Sequence, residues 1–230
     1  MNLRLHSLLP CSRANGPGTR AVVWVQGCSL GCPGCFNPET HTVQGAESVA
    51  VDDLLQRIVG LGDSIEGITI SGGEPLQQRP AVVELLRRVK AETALSVILF
   101  TGFRWEEVVG ASERESDQAL WRDDAGAFHQ ANDLAHGKRF HAPTPSRSAA
   151  PRHPDTSRPR DFLNYMDVLI AGRYDAGQRV ARGLRGSANK TVHFITDRYT
   201  AEDLEAVPPA EVLVSPRGEL IISGIQPVAW

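Results

Sequence analysis

Cysteine is scarce here, with four in 230 residues, and three of the four crowd into one short stretch. With no secretory leader at its start, that scarcity argues against a disulfide framework and places the chain in a reducing, cytoplasmic setting. Long apolar runs are missing too. None approaches the roughly 20 residues that a membrane-spanning helix requires. Neither sign of charge dominates, since 24 Lys and Arg against 27 Asp and Glu leave a net charge of −3. A nucleic acid or an anionic membrane surface is thereby excluded as the principal partner. What remains, at 41% hydrophobic residues, is the composition of a soluble globular protein with one core and some embellishment.

The crowded cysteines read Cys28-Ser-Leu-Gly-Cys32-Pro-Gly-Cys35. A 4Fe–4S cluster used only to store an electron takes one thiolate per iron. This loop offers three, which leaves the fourth iron open to bind a substrate or a cofactor. Glycines 27, 31 and 34, with Pro33, allow tight turns that let three sulfurs point inward. Zinc is the rival ligand, but a structural zinc site is commonly built from two separated Cys-x2-Cys pairs. No second pair follows, and no His-x3-His. His41, six residues beyond Cys35, could complete a Cys3His site, although Thr40 and Thr42 around it read as an ordinary loop. Cys11 reads as a free thiol.

Downstream, Gly67-Ile-Thr-Ile-Ser71-Gly-Gly-Glu-Pro75 is a short β-branched strand running into a Gly-Gly turn with an acid behind it. Gly72 and Gly73 let the backbone approach a ligand closely, and Glu74 is suited to accept from an ammonium group. Alone, Gly-Gly-Glu is an ordinary strand-end turn. Combined with a Cys-x3-Cys-x2-Cys loop at the end of an earlier strand, it resembles the radical S-adenosylmethionine (SAM) superfamily. The resemblance narrows to the glycyl-radical-activating branch, and within it to activators of anaerobic ribonucleotide reductase. There the third cysteine is preceded here by Gly34 and followed by an aromatic, Phe36, in Cys35-Phe36-Asn37. Asn15-Gly-Pro-Gly-Thr-Arg20, Phe100-Thr-Gly-Phe103, Asp167-Val-Leu-Ile-Ala-Gly-Arg173 and Arg185-Gly-Ser-Ala-Asn189 match further pieces in the family's order.

The resemblance implies a partial (β/α) barrel in which Cys28, Cys32 and Cys35 hold a 4Fe–4S cluster. Gly34, Cys35, Phe36, Gly72, Gly73 and Glu74 are the residues it implies for SAM. The open iron would chelate the amino and carboxylate groups of SAM, and reductive cleavage would give methionine and a 5′-deoxyadenosyl radical. That radical takes a hydrogen from a backbone glycine of a large glycyl-radical enzyme, the implied partner. Reduced flavodoxin or ferredoxin is the implied electron donor. No side chain is obliged to act as general acid or base. Two other readings stand beside this one: a radical SAM enzyme that modifies another peptide or a small molecule, and a non-catalytic iron–sulfur or zinc protein.

Short apolar runs alternate with helical patterns along the chain, the signature of βα units and a parallel sheet. Strands are expected at Arg20–Val25, Gly67–Ser71, Ser96–Thr101, Asp167–Ala171 and Thr191–Ile195. Leu54, Leu55, Ile58 and Val59 make one apolar helix face, and Val82, Val83, Leu85, Leu86 and Val89 another. The core is expected over 1–195, interrupted at 111–160 by a charged, Pro-rich insertion. Its tail has little apolar content to bury and reads as disordered. Trp121 and Phe128 suggest a short helix within it, and His129, His136, His141 and His153 read as solvated. Residues 196–230 form an extension: a helix at Ala201–Ala206 and a β-hairpin turning at Ser215-Pro-Arg-Gly218.

Overall fold

The computed structural model describes residues 1–110, 161–215 and 217–226. The expected insertion at 111–160, with its helix and its histidines, lies outside the described residues. The first six strands are β1 (Asn2–Ser12), β2 (Arg20–Val25), β3 (Glu47–Ala50), β4 (Gly67–Gly72), β5 (Ser96–Thr101) and β6 (Val168–Ala171). β7 (Arg179–Arg182) and β8 (Arg185–Ser187) make a small ribbon of their own, and β9 (Thr191–Phe194) returns to the main sheet. That sheet has seven strands in the order β3-β1-β2-β4-β5-β6-β9. The fold is mixed α/β around it.

β2, β4, β5 and β6 pair in parallel, as expected for strands joined by helical crossovers. β9 is the expected strand at 191–195, but it departs from the parallel pattern and pairs antiparallel with β6. The ribbon β7–β8 replaces a crossover helix between them, so the chain comes back along the same edge. β1, absent from the expected strands, pairs antiparallel with both β2 and β3. Its apolar alternation is interrupted by register shifts between Leu5 and Ser7 and between Leu9 and Ser12. Those irregularities hide the strand from a period-two reading.

Period-two alternation in the parallel strands sorts side chains between two faces. Ala21, Val23 and Val25, Ile68 and Ile70, and Val97 and Leu99 share one core with two helices, α1 (Val51–Val59) and α2 (Arg79–Glu92). Leu54, Leu55, Ile58, Val82, Leu85, Leu86 and Val89 are the helical side of that core. Burying each such side chain stabilises the fold by on the order of 1.5–3 kcal/mol. Val59, expected in the same stripe, is 42% exposed at the end of α1. The opposite face carries Arg20 and Trp24, Thr69 and Ser71, and Ile98 and Phe100, and it is the face that opens toward the site.

Arg20 is fully buried, and among the described residues its hydrogen-bond acceptors are all neutral. Its Nε donates to Thr69 Oγ1 at 2.8 Å, Nη1 to Ser96 Oγ at 2.8 Å, and Nη2 to the Ile68 carbonyl at 2.6 Å. The guanidinium therefore ties β2 to β4 and β5 at the ends opposite the site. A second clamp is Asp167, just before β6. Its carboxylate accepts from Val97 N at 2.7 Å, Thr196 Oγ1 at 2.9 Å and Lys90 Nζ at 3.1 Å.

Burial alone would push the Asp167 carboxyl up. The bonds from Val97, Thr196 and Lys90 outweigh it and hold the group below its usual range. A carboxyl depressed by folding stabilises the native state above its unfolded pKa, near 3.9, and loses that contribution as pH falls through the folded value. Asp167→Asn is expected to cost about 2 kcal/mol at pH 7, measured by urea denaturation, with the difference shrinking below about pH 4. A pH-independent difference would show that shape, not charge, matters at this position.

Candidate active site

Three loops meet beyond the C-terminal ends of β2, β4 and β5, the edge where parallel strands offer backbone to a ligand. The cysteine loop leaves β2 and is closed at its neck by backbone bonds, Gly27 N to the Thr40 carbonyl at 2.8 Å and Cys28 N to the His41 carbonyl at 3.0 Å. Gln26, 3% exposed, donates across the same neck to the carbonyls of Glu39 and Thr42. Nothing in the sequence singled it out, since a buried amide is defined by the chain that folds over it. Inside the loop, Cys35 N bonds back to the Cys32 carbonyl, and Gly34 takes a φ of +70°, open to glycine at little cost.

The Gly-Gly-Glu turn after β4 packs directly on that neck. Gly73 N donates to the Val25 carbonyl and Glu74 N to the Gly27 carbonyl. A methyl group on Gly73 would collide with the Gly27 carbonyl oxygen, so the two loops approach only through a glycine there. Glu74 is 1% exposed. Its Oε1 accepts from Leu76 N at 2.9 Å and Thr101 Oγ1 at 2.7 Å, and its Oε2 from Gly102 N at 2.6 Å. The acid therefore joins the loop after β4 to the loop after β5. Burial pushes its carboxyl up, against the pull of those three donors and of Lys190.

Cys28, Cys32, Cys35, Phe36, Gly72, Gly73 and Glu74 line one cavity of about 190 Å³. Gly34, in the same loop between Cys32 and Cys35, is exposed and does not itself line the cavity. The sheet supplies Trp24, Ser71 and Phe100, and Asn15 comes from the loop between β1 and β2. Phe36 is held against Tyr174, with ring centroids 4.7 Å apart, and lies on the bare Cα of Gly186. The motif Arg185–Asn189 thus matters as a seat for Phe36. Cys11 is exposed on β1 and is absent from the cavity wall.

Lys190 is the addition that the sequence did not flag. It lies in the cavity wall, largely buried, and its Nζ donates to the Gly172 carbonyl. Burial lowers its pKa, while the negative charge of Glu74 and of Cys32 and Cys35 as thiolates would raise it. A lysine directly after an Asn-containing turn carries no motif that distinguishes it from a surface lysine.

The C-terminal extension closes the remaining side. A helix, α3 (Trp105–Gly110), precedes the undescribed stretch, and α4 (Ala201–Glu205) leads into β10 (Ala210–Val214) and β11 (Leu220–Gly224). These last two strands pair antiparallel, and Ile222, Ser223, Gly224 and Ile225 line the cavity. Ser223 accepts from Asn15 Nδ2 at 2.6 Å, while the Glu211 carboxylate accepts from Ser12 Oγ and from Arg13 N.

The donor set fits an iron–sulfur cluster. Three thiols line one cavity, yet among the described residues no three His, Cys, Asp or Glu side chains converge as ligands of a single ion. A four-iron cluster asks less of its thiolates, because each one meets a different iron. Burial pushes the Cys28 thiol up to about 11, and Glu74, Cys32 and Cys35 add to the shift; burial raises Cys35 as well. Such thiols stay protonated at neutral pH until a cation displaces the proton. His41 Nε2, also in the wall, is buried without a hydrogen-bond partner, which leaves one polar atom for a bound group to satisfy.

Comparison with known proteins points to an iron–sulfur cofactor as well. Residues 14–123 match the model of a 4Fe-4S single cluster domain. The anaerobic ribonucleoside-triphosphate reductase-activating protein of enterobacteria phage T4 is 33% identical over 200 residues, covering 85% of this chain and 97% of its own length. The protein of the same description from Escherichia coli K12 is 34% identical over 123 residues, 50% of this chain and 79% of its own. The pyruvate formate-lyase-activating enzyme of Clostridium pasteurianum is 31% identical over 113 residues, 46% of this chain and 48% of its own.

Proposed function

The chain belongs to the family of anaerobic ribonucleoside-triphosphate reductase-activating proteins, and on that premise we propose that it is a radical SAM enzyme that installs a glycyl radical on a partner enzyme. The observation that carries the reading is the set of three thiols, rather than four, on a cavity shared with the Gly-Gly-Glu turn and Lys190. Cys28, Cys32 and Cys35 would hold a 4Fe–4S cluster and leave one iron for SAM. When bound, the cluster supplies an electron that cleaves the sulfonium of SAM, and SAM supplies the carbon radical that abstracts a hydrogen atom.

The chain's own residues bind and shield. Backbone at Gly34–Phe36 and at Gly72 and Gly73 would hold SAM, and Lys190 would answer its carboxylate. Trp24, Phe100 and Leu184 give the cavity apolar wall that keeps water from a reactive carbon. α1 and α2 cover one face of the sheet, and the other carries the cavity beside a smaller core of Ile98, Val168, Ile170, Leu184 and Leu204, which supports a partial barrel with 1–195 as its core and 196–230 as an extension. A reducing cytoplasmic setting, with reduced flavodoxin or ferredoxin as donor, belongs to the same proposal. Among the described residues no helix is long and apolar enough to cross a membrane.

The test is direct. Anaerobically reconstituted protein, SAM and dithionite are mixed with the anaerobic reductase of the same organism, and the expected result is a glycyl doublet in the electron paramagnetic resonance (EPR) spectrum. Normal SAM cleavage with no doublet on that reductase or on any glycyl-radical enzyme encoded beside this chain would remove the activase reading.

A further inference from the structure

The β10–β11 hairpin carries an apolar face that stays exposed among the described residues. Val212 pairs with Ile222 and Val214 with Leu220 across the two strands. Partners directly opposite in an antiparallel pair lie on the same face. These four side chains are 44%, 42%, 67% and 60% exposed, in that order. The opposite face is the one that holds the hairpin in place, through Glu211 to Ser12 and Arg13 and through Ser223 to Asn15. An isolated two-stranded hairpin is marginal in water, and contiguous exposed apolar surface on a folded protein marks a contact to be made. What identifies the contact is position: Ile222 belongs both to the exposed face and to the wall of the cavity. Ile222 stands where that face meets the cavity wall.

We propose that this face is the docking surface for the segment of the partner enzyme that carries its target glycine. The inference rests on the activase reading. A glycine offers no side chain to grip, so the residues flanking it must supply the hold, and they would arrive in extended form at the rim where Ile222 stands. Val212, Val214 and Leu220 would take apolar side chains from that segment while its glycine enters the cavity.

The test uses the full-length, reconstituted protein with Val212→Glu, Val214→Glu and Leu220→Glu made singly. None of these residues lines the cavity, and all three are exposed, so folding and uncoupled 5′-deoxyadenosine release with dithionite should match the wild type. Glycyl-radical yield is then titrated against the anaerobic reductase of the same organism. The partner concentration for half-maximal yield should rise at least about tenfold for Val214→Glu and Leu220→Glu, the loss expected at the centre of a contact. An unchanged titration overturns the docking face. So does a dimeric wild type that the substitutions convert to monomer, which would assign the face to a second copy. A defect seen only when reduced flavodoxin replaces dithionite would assign it to the electron donor and overturn the proposal likewise. A wild type that forms no doublet fails earlier, at the activase reading itself, and is distinguished by that control.

Discussion

Alanine in place of Cys28, Cys32 or Cys35 is expected to abolish 5′-deoxyadenosine formation and to strip the reconstituted protein of its cluster absorption, whereas Cys11→Ala changes neither. The asymmetry follows from place as much as from chemistry. The first three thiols line one cavity, and Cys11 stands exposed on β1, outside it. A cluster held by three thiolates has no spare ligand, so two cannot hold the fourth iron open in a defined position. Burial adds to the penalty. A thiol pushed up to about 11, as Cys28 is, binds metal only by giving up its proton to a cation that several ligands share. Iron and sulfide content, the visible spectrum and the low-temperature EPR signal of the reduced protein all read the cluster independently of turnover. SAM cleavage that survives Cys32→Ala would end the three-ligand assignment. Tight stoichiometric zinc with no SAM cleavage by the wild type would favour a non-catalytic metal protein.

The parallel centre of the sheet was legible because its strands are short, unbroken apolar runs set between helical patterns. Val97 and Leu99 face the helices while Ile98 and Phe100 face away, so both faces are buried and the run is apolar throughout. The cysteine loop was legible for a different reason: thiols, glycines and a proline at fixed spacing have few other uses. β1 was not, since its bulges break the period on which strand reading depends. Gln26, Lys190 and the hairpin's place in the cavity wall were not, because these roles arise from contacts between distant parts of the chain. The Asn15–Ser223 bond, for example, joins residues 208 positions apart. Local pattern carries no information about which side chain a returning strand will meet.

Glu74 marks where the local reading and the fold point to different roles, and its substitution separates them. A sequence view makes it a partner for the ammonium of SAM. Three donors from the protein already occupy most of its acceptor capacity, and they bind the loop after β4 to the loop after β5. In Glu74→Gln, one end of the side chain becomes an N–H2 group. Placed at Oε2, that group confronts Gly102 N; placed at Oε1, it confronts Leu76 N, while the Thr101 hydroxyl can turn to accept. At least one buried backbone donor is stranded either way, at a cost of about 1–3 kcal/mol. The expected result is a loss of that size in urea denaturation, together with SAM binding weakened about tenfold or more, because two walls of the cavity lose their tie. Glu74→Ala should be worse on both counts, since it strands all three donors. Weakened SAM binding at unchanged stability would restore the direct ammonium contact as the residue's main role. Lost stability with SAM affinity intact would show that the tie serves the fold and that SAM is held elsewhere, by the backbone at Gly34–Phe36 and by Lys190.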